Sequence, residues 1–233
     1  MPKSIEPLPP DSKDKSCCCS KPVSKPTGNR DHWSTAYEGK AITGLGWYEE
    51  DPEPSMRLIR KCNLEKNASI LNVGAGATTL VDALLDAGYE GVIASDLTAS
   101  GLERLKERLG EKSSRVDWIV DDLTHPEKLN ELAKVDVWHD RAVLHFFQEK
   151  KEQQAYFDLL RRLLRKGGYV IIAAFNLQGS EKCFGLPVHR YDEAMLQERL
   201  GPEFELKETF NFTYTTPSGD SREYVYTLFQ RIV

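Results

Sequence analysis

Apolar residues recur along this chain in two alternating periods. Ile70 to Val73 is a short apolar run that enters Gly74-Ala75-Gly76, and Thr79 to Ala87 then carries its apolar residues at helical spacing up to Gly88. That pattern predicts strand, tight turn and helix. It repeats: strand Gly91 to Ser95 closing on Asp96, helix Ala99 to Leu109 stopped by Gly110, then strand Val116 to Val120. Val135 to Asp140 reads as a fourth strand. Glu149 to Leu164 reads as a long helix with Tyr156, Leu159, Leu160, Leu163 and Leu164 on one face. Lys166-Gly167-Gly168 stops it, and Tyr169 to Phe175 is the fifth strand. A helix over Asp192 to Leu200 follows. Phe204 to Tyr214 and Ser221 to Arg231 then read as a β-hairpin across Pro217-Ser218-Gly219-Asp220. Before all of these, Met56, Leu58, Ile59 and Cys62 mark a helix over Pro52 to Cys62. Strand–helix alternation that ends in a hairpin predicts an α/β fold. The expected form is Rossmann-like, a seven-stranded, mostly parallel sheet with a C-terminal antiparallel hairpin and helices on both faces.

Composition narrows the setting. The 233 residues suit one catalytic domain plus a tail, and the apolar fraction of 40% suffices for a core. Residues 1 to 29 are rich in Pro, Ser and Lys without hydrophobic periodicity, and read as a disordered leader ahead of a domain over 30–233. Its first residues lack a signal-peptide apolar segment, and no apolar run is long enough to span a membrane. The net charge of −5 argues against nucleic acid as main partner. Five cysteines, three of them the consecutive Cys17-Cys18-Cys19, do not form a secreted disulfide pattern, so the cytoplasm is expected.

The chemistry concentrates at strand ends. Gly74 and Gly76 let the backbone turn tightly and approach a ligand. Asp96 can accept both hydroxyls of a ribose, or serve as a helix cap beside Thr98. Asp121-Asp122 closes the third strand in the same manner. Strand alternation lets only one of that pair point inward. These ends line the crevice where open α/β sheets bind ligands. No Gly-Lys-Ser/Thr follows the turn, and Thr78 or Thr79 stands near the place of the third glycine of a dinucleotide fingerprint. A nucleoside with little phosphate fits better than a dinucleotide.

These residues resemble the class I S-adenosylmethionine-dependent methyltransferases; a Rossmann-like domain for another nucleoside cofactor is the alternative. The resemblance covers residues 31 to 233 and includes the hairpin. It implies S-adenosyl-L-methionine as cofactor, with Gly74 and Gly76 under its methionine moiety. It places Asp96 on the ribose, Leu97 against the adenine, Asp122 at the adenine amine and Leu123 below the ring. Asn72 stands where the family usually has an aspartate, and can hydrogen-bond without bringing charge.

The acceptor is expected at the end of the fourth strand, His139-Asp140-Arg141, followed by His145. The Asp-Arg pair, Trp47-Tyr48 and Gly185 to Tyr191 resemble thiopurine S-methyltransferases and a group of small bacterial methyltransferases. Ser55-Met56 and the aromatic leader are more distantly similar to protein-lysine methyltransferases. On these grounds Asp140 is expected beside the transferred methyl, with Asp140 or His145 as proton acceptor for an amine. Asp140–Arg141 as a structural ion pair, and His145 as a satisfied core histidine, are the alternatives. Trp33 and Trp47 are expected near the methyl group, where aromatic faces attract cations, or else as lids on the core. Cys17, Cys18 and Cys19 suit soft ions, in loose resemblance to arsenite methyltransferases, or are a dispensable feature of the tail. Cys183 is expected on the acceptor side and Cys62 in the core. The expected activity is methyl transfer to a small acceptor, a thiol or other soft nucleophile first. A protein substrate on a lysine, or a non-enzymatic cofactor- or soft-metal-sensing role, are the other readings.

Overall fold

The computed structural model describes residues 29–37 and 41–233. The leader expected over residues 1–29, with its cysteine cluster, lies outside the described residues except for Asn29. The elements in order are α1 (Asn29–Ala36), α2 (Glu53–Lys61), β1 (Ser69–Val73), α3 (Leu80–Asp86), β2 (Gly91–Asp96), α4 (Ala99–Leu109) and β3 (Val116–Val120). Then follow β4 (Val135–Arg141), α5 (Lys150–Leu163), β5 (Leu164–Phe175), a ribbon of β6 (Lys182–Cys183) and β7 (Leu186–Pro187), α6 (Glu193–Leu200), β8 (Phe204–Thr215) and β9 (Ser221–Arg231).

Seven strands form one sheet in the order β3-β2-β1-β4-β5-β9-β8. β3, β2, β1, β4 and β5 run parallel, and β9 runs antiparallel between β5 and β8. The seven-stranded, mostly parallel sheet with its closing hairpin is therefore the one the periodicity predicts. Strand order reverses between β1 and β4, so the chain leaves these neighbours in opposite directions and opens a crevice at their carboxyl ends.

Parity along the strands sorts side chains into two cores. Ile70, Val137, Ile171 and Ala173 face α2, α3 and α4, while Leu71, Val73, Trp138 and Ile172 face α5 and α6. Local chemistry sets the ends of the helices. Glu149 and Glu152 form a reciprocal capping box on α5, and the Asp192 carboxylate accepts from Met195 N at 2.8 Å to cap α6.

Two segments differ from the sequence expectation. Lys166-Gly167-Gly168 does not precede the fifth strand but lies within it, because β5 begins at Leu164 and shifts register between its pairs with Val135 and Val137. Gly167 adopts φ +79° there, and a Cβ on Gly168 would stand 2.9 Å from the Asp136 carbonyl oxygen. The glycines thus make a bulge rather than a stop. The β6–β7 ribbon, turned by Phe184 and Gly185 at φ +48° and +80°, has strands of two residues, too short to leave a period in the sequence.

Candidate active site

The glycine turn after β1 is held from below and behind. Ala75 N donates to Ser95 O at 2.9 Å, Gly76 N donates to Asp96 Oδ2 at 2.9 Å, and Arg108 from α4 donates to Ala77 O at 2.9 Å while pairing with Asp82. Gly74 and Gly76 have φ of +60° and +47°, where an L side chain is strained. A Cβ on Gly74 would meet Val143 Cγ2 at 2.1 Å, and one on Gly76 would meet the Tyr37 hydroxyl at 2.0 Å. Gly74 lines the cleft. Gly76 does not: Tyr37 covers it, so the expectation that both glycines floor the cleft is corrected for Gly76. Its N–H instead anchors Asp96.

Asp96 closes β2 with its carboxylate in the cleft wall. Oδ1 accepts from Thr98 N at 2.9 Å and from the Thr98 hydroxyl at 3.1 Å. Burial pushes its pKa up, while the Thr98 and Gly76 N–H groups oppose that shift. Thr98, not Asp96, is the cap residue of α4. At the end of β3 the two carboxylates divide their work. Asp121 is buried and accepts from the backbone N–H groups of Asp122, Glu127 and Leu129 at 2.8–3.2 Å. Asp122 is half-buried and binds Thr124 through Oδ1, while Oδ2 lies 3.9 Å from His125 Nδ1. Leu97 and Leu123 also line this end.

Two buried polar atoms of the cleft wall, Asn72 Nδ2 and Ser95 Oγ, have no hydrogen-bond partner among the described residues. Buried polar groups are normally satisfied, so these await one. Together with two carboxylates and apolar Leu97 and Leu123, the donor set fits a nucleoside carrying a polar tail, as S-adenosyl-L-methionine does.

The roof comes from the segment before α2 and from α1. Arg141 donates to Trp47 O at 3.0 Å, Tyr214 donates to Tyr48 O, and the Thr79 hydroxyl donates to Glu49 O at 2.8 Å. Three consecutive carbonyls are thus fastened to three separate elements. Trp33 meets Trp47 with ring centroids 5.7 Å apart and Phe146 at 4.9 Å, and Phe184 of the ribbon stacks on Trp33. Trp33, Trp47 and Phe146 line the cleft, and Cys183 stands in the same wall with its thiol pushed up to about 11 by burial. Arg141 also reaches Glu49 at 2.9 Å and Tyr226 at 3.2 Å, so one guanidinium ties the roof to the hairpin.

Three expected acceptor residues separate by parity. His139 and Arg141 face the cleft; Asp140 between them points to the opposite side of the sheet. Fully buried, the Asp140 carboxylate accepts from Val143 N at 2.9 Å, Leu144 N at 3.0 Å and the Tyr156 hydroxyl at 2.7 Å. Burial raises its pKa to about 6. Asp140 therefore shapes the turn that carries Val143; it does not line the cleft and does not pair with Arg141. His145 is likewise corrected to a core histidine. It is fully buried against Phe146 and Phe175, at 4.4 and 4.7 Å between ring centroids, and burial holds its pKa near 3. Sequence reasoning missed Tyr37, Glu49 and His139. The parity shared with Arg141 was the available signal for His139; for Tyr37 and Glu49, proximity to Trp33 and Trp47 was the only one.

Residues 70–168 match the family model described as a methyltransferase domain. EEF1A lysine methyltransferase 2 of Danio rerio is 25% identical over 211 residues, covering 83% of this chain and 84% of that protein. Among solved structures, one described for conversion of a disulfide bond into a thioacetal group during echinomycin biosynthesis superposes with a TM-score of 0.68 at 17% identity, covering 86% of this chain and 92% of that one. The Burkholderia thailandensis 1,6-didemethyltoxoflavin-N1-methyltransferase, solved with S-adenosylhomocysteine, gives 0.61 at 19% identity over 88% of this chain and 84% of that one. The resemblance to thiopurine methyltransferases is not reproduced among these relatives, and a methyltransferase domain leaves the non-enzymatic sensor reading without support. The chain carries a methyltransferase domain on the class I fold, and it is an enzyme whose methyl donor is S-adenosyl-L-methionine.

Proposed function

We propose that this methyltransferase acts on a small, soft nucleophile, a thiol first among them. The observation that carries the reading is the state of the ionisable groups facing the acceptor side among the described residues. His139 is engaged at both ring nitrogens, and burial holds its pKa near 3. Glu49 is committed to Arg141, and Asp140 and His145 are fully buried outside the cleft lining. No unengaged base remains there to take a proton from an ammonium or hydroxyl. A thiolate needs none. When bound, the cofactor supplies a methyl group already activated on a sulfonium, so alignment is the main task left to the protein.

On this reading Asp96 accepts the ribose hydroxyls, Asp122 accepts the adenine amine, and Leu97 and Leu123 flank the base. Asn72 and Gly74 meet the methionine end. Trp33, Trp47 and Phe146 exclude water and offer ring faces to the cationic methyl. Arg141 holds the roof closed; burial raises the Cys183 thiol on the same wall to about 11, and the charges of Arg222 and Arg141 oppose that only in part.

Methylation of a protein lysine is the second reading. It is supported by the Danio rerio relative and by Glu49, the acid that an amine acceptor would meet in the roof. The deciding experiment offers radiolabelled cofactor to small thiols, small amines and a whole-cell protein extract. Saturable label on thiols, rising with pH as the thiolate forms, supports the proposal. Label confined to lysines of a protein replaces it with the second reading.

A further inference from the structure

Behind the glycine turn, a chain of side-chain hydrogen bonds crosses from α2 to the cofactor end of the cleft. The Ser55 hydroxyl of α2 lies 2.8 Å from His139 Nε2. His139 Nδ1 lies 3.0 Å from Asn72 Oδ1, across the β1–β4 pair in which the two residues are register partners. Asn72, Ser55 and His139 are 3%, 1% and 1% exposed.

Its direction follows from the Asn72 end. The amide presents Oδ1 to His139 Nδ1, and an amide oxygen only accepts, so the imidazole N–H sits on Nδ1. Burial keeps the ring neutral with a single N–H. Nε2 then accepts from the Ser55 hydroxyl. The amide oxygen is used, and Nδ2, which has no partner among the described residues, is what Asn72 offers to the cleft.

We infer that Asn72 presents a neutral N–H donor to the carboxylate of the cofactor's methionine moiety, and that His139 is the positioning residue that keeps the amide turned that way. An aspartate at this place would accept, and would suit the ammonium instead. The asparagine thus exchanges one recognition for the other, and the chain behind it makes the exchange directional.

Calorimetry on the full chain separates the two. Asn72→Asp sets a carboxylate against a carboxylate, so affinity for S-adenosylhomocysteine should fall roughly tenfold or more, while binding of the analogue lacking only the carboxylate is not weakened by the substitution. Tighter binding of S-adenosylhomocysteine by Asn72→Asp, or an equal loss for both ligands, overturns the inference. A second measurement needs no variant to fold. Nitrogen-15 NMR of wild-type protein should find His139 protonated at Nδ1 and bare at Nε2 between about pH 5 and pH 8, a tautomer that a merely packed histidine is not bound to hold. Protonation at Nε2 overturns it equally.

Discussion

The Tyr156 hydroxyl donates to Asp140 Oδ2 at 2.7 Å while accepting from Trp138 Nε1 at 2.9 Å, all within the buried α5 side of the sheet. The same carboxylate accepts two backbone N–H groups, so its charge is used entirely inside the fold. Asp140→Asn should therefore lower the melting temperature, with about 2–4 kcal/mol of stability lost, because an amide turns an NH2 against groups that donate. Cofactor affinity should fall in step with unfolding rather than independently of it. A fully stable variant with lost turnover would return Asp140 to catalysis.

Asp96 serves both the loop and the ligand. Asp96→Ala should weaken S-adenosylhomocysteine binding by about 2–4 kcal/mol through lost charge-assisted hydrogen bonds, and should loosen the glycine turn by freeing Gly76 N and Thr98 N. Calorimetry and a thermal melt on one sample measure both. Unchanged affinity would remove Asp96 from the ribose.

The neighbouring carboxylates of β3 should behave differently. Asp121→Asn should destabilise the chain, since three backbone donors lose a charged acceptor, while Asp122→Asn should leave the melt nearly unchanged and weaken adenosine binding by about 1 kcal/mol. The reverse pattern would assign the adenine amine to Asp121.

Arg141 and Glu49 test the roof. Arg141→Met leaves the Glu49 carboxylate and the Trp47 carbonyl without their donor. Removing one partner of a buried ion pair costs about 3–5 kcal/mol. Glu49→Gln keeps the shape and should mainly raise the acceptor KM. Unaltered stability of Arg141→Met would show that the segment from Trp47 to Glu49 is held by other contacts.

Acid should destabilise the protein through its histidines. His139 and His145 have pKa values lowered to about 3 from an ordinary 6.5, so the unfolded chain binds more protons than the folded one between those values. Their contribution is complete above pH 6.5 and is lost as pH falls. Asp140, raised to about 6, acts in the opposite sense, its contribution being lost as pH rises through that value. Asp96 and Glu49, also raised by burial, act in the same sense as Asp140, so the histidine share is read by difference: below about pH 6.5 each histidine contributes a limiting slope of about 1.4 kcal/mol per pH unit. His145→Phe should flatten the profile; an unchanged slope would show that His145 is not buried neutral.

Much of this protein is legible without coordinates. The 2.0 and 3.6 periods place every strand of the large sheet from β1 to β9 within a few residues, because each strand buries one or both faces and must read as apolar. The glycine turn and Asp96 are local signals of the same kind, set by backbone freedom and by position at a strand end. What tertiary structure decided is parity and partnership. Asp140 and Arg141 are adjacent in sequence, yet a pleated strand sends them to opposite faces, and only the packing of β4 against α5 says which face is the cleft. Gly76 lost its place on the floor to Tyr37, a residue thirty-nine positions earlier by their numbers. The chain from Ser55 through His139 to Asn72 joins α2, β4 and β1, three segments whose proximity no local pattern encodes. Hydrogen-bond direction arises only once those segments meet, and it was the fold, not the residue types, that turned a neutral asparagine into a directed donor.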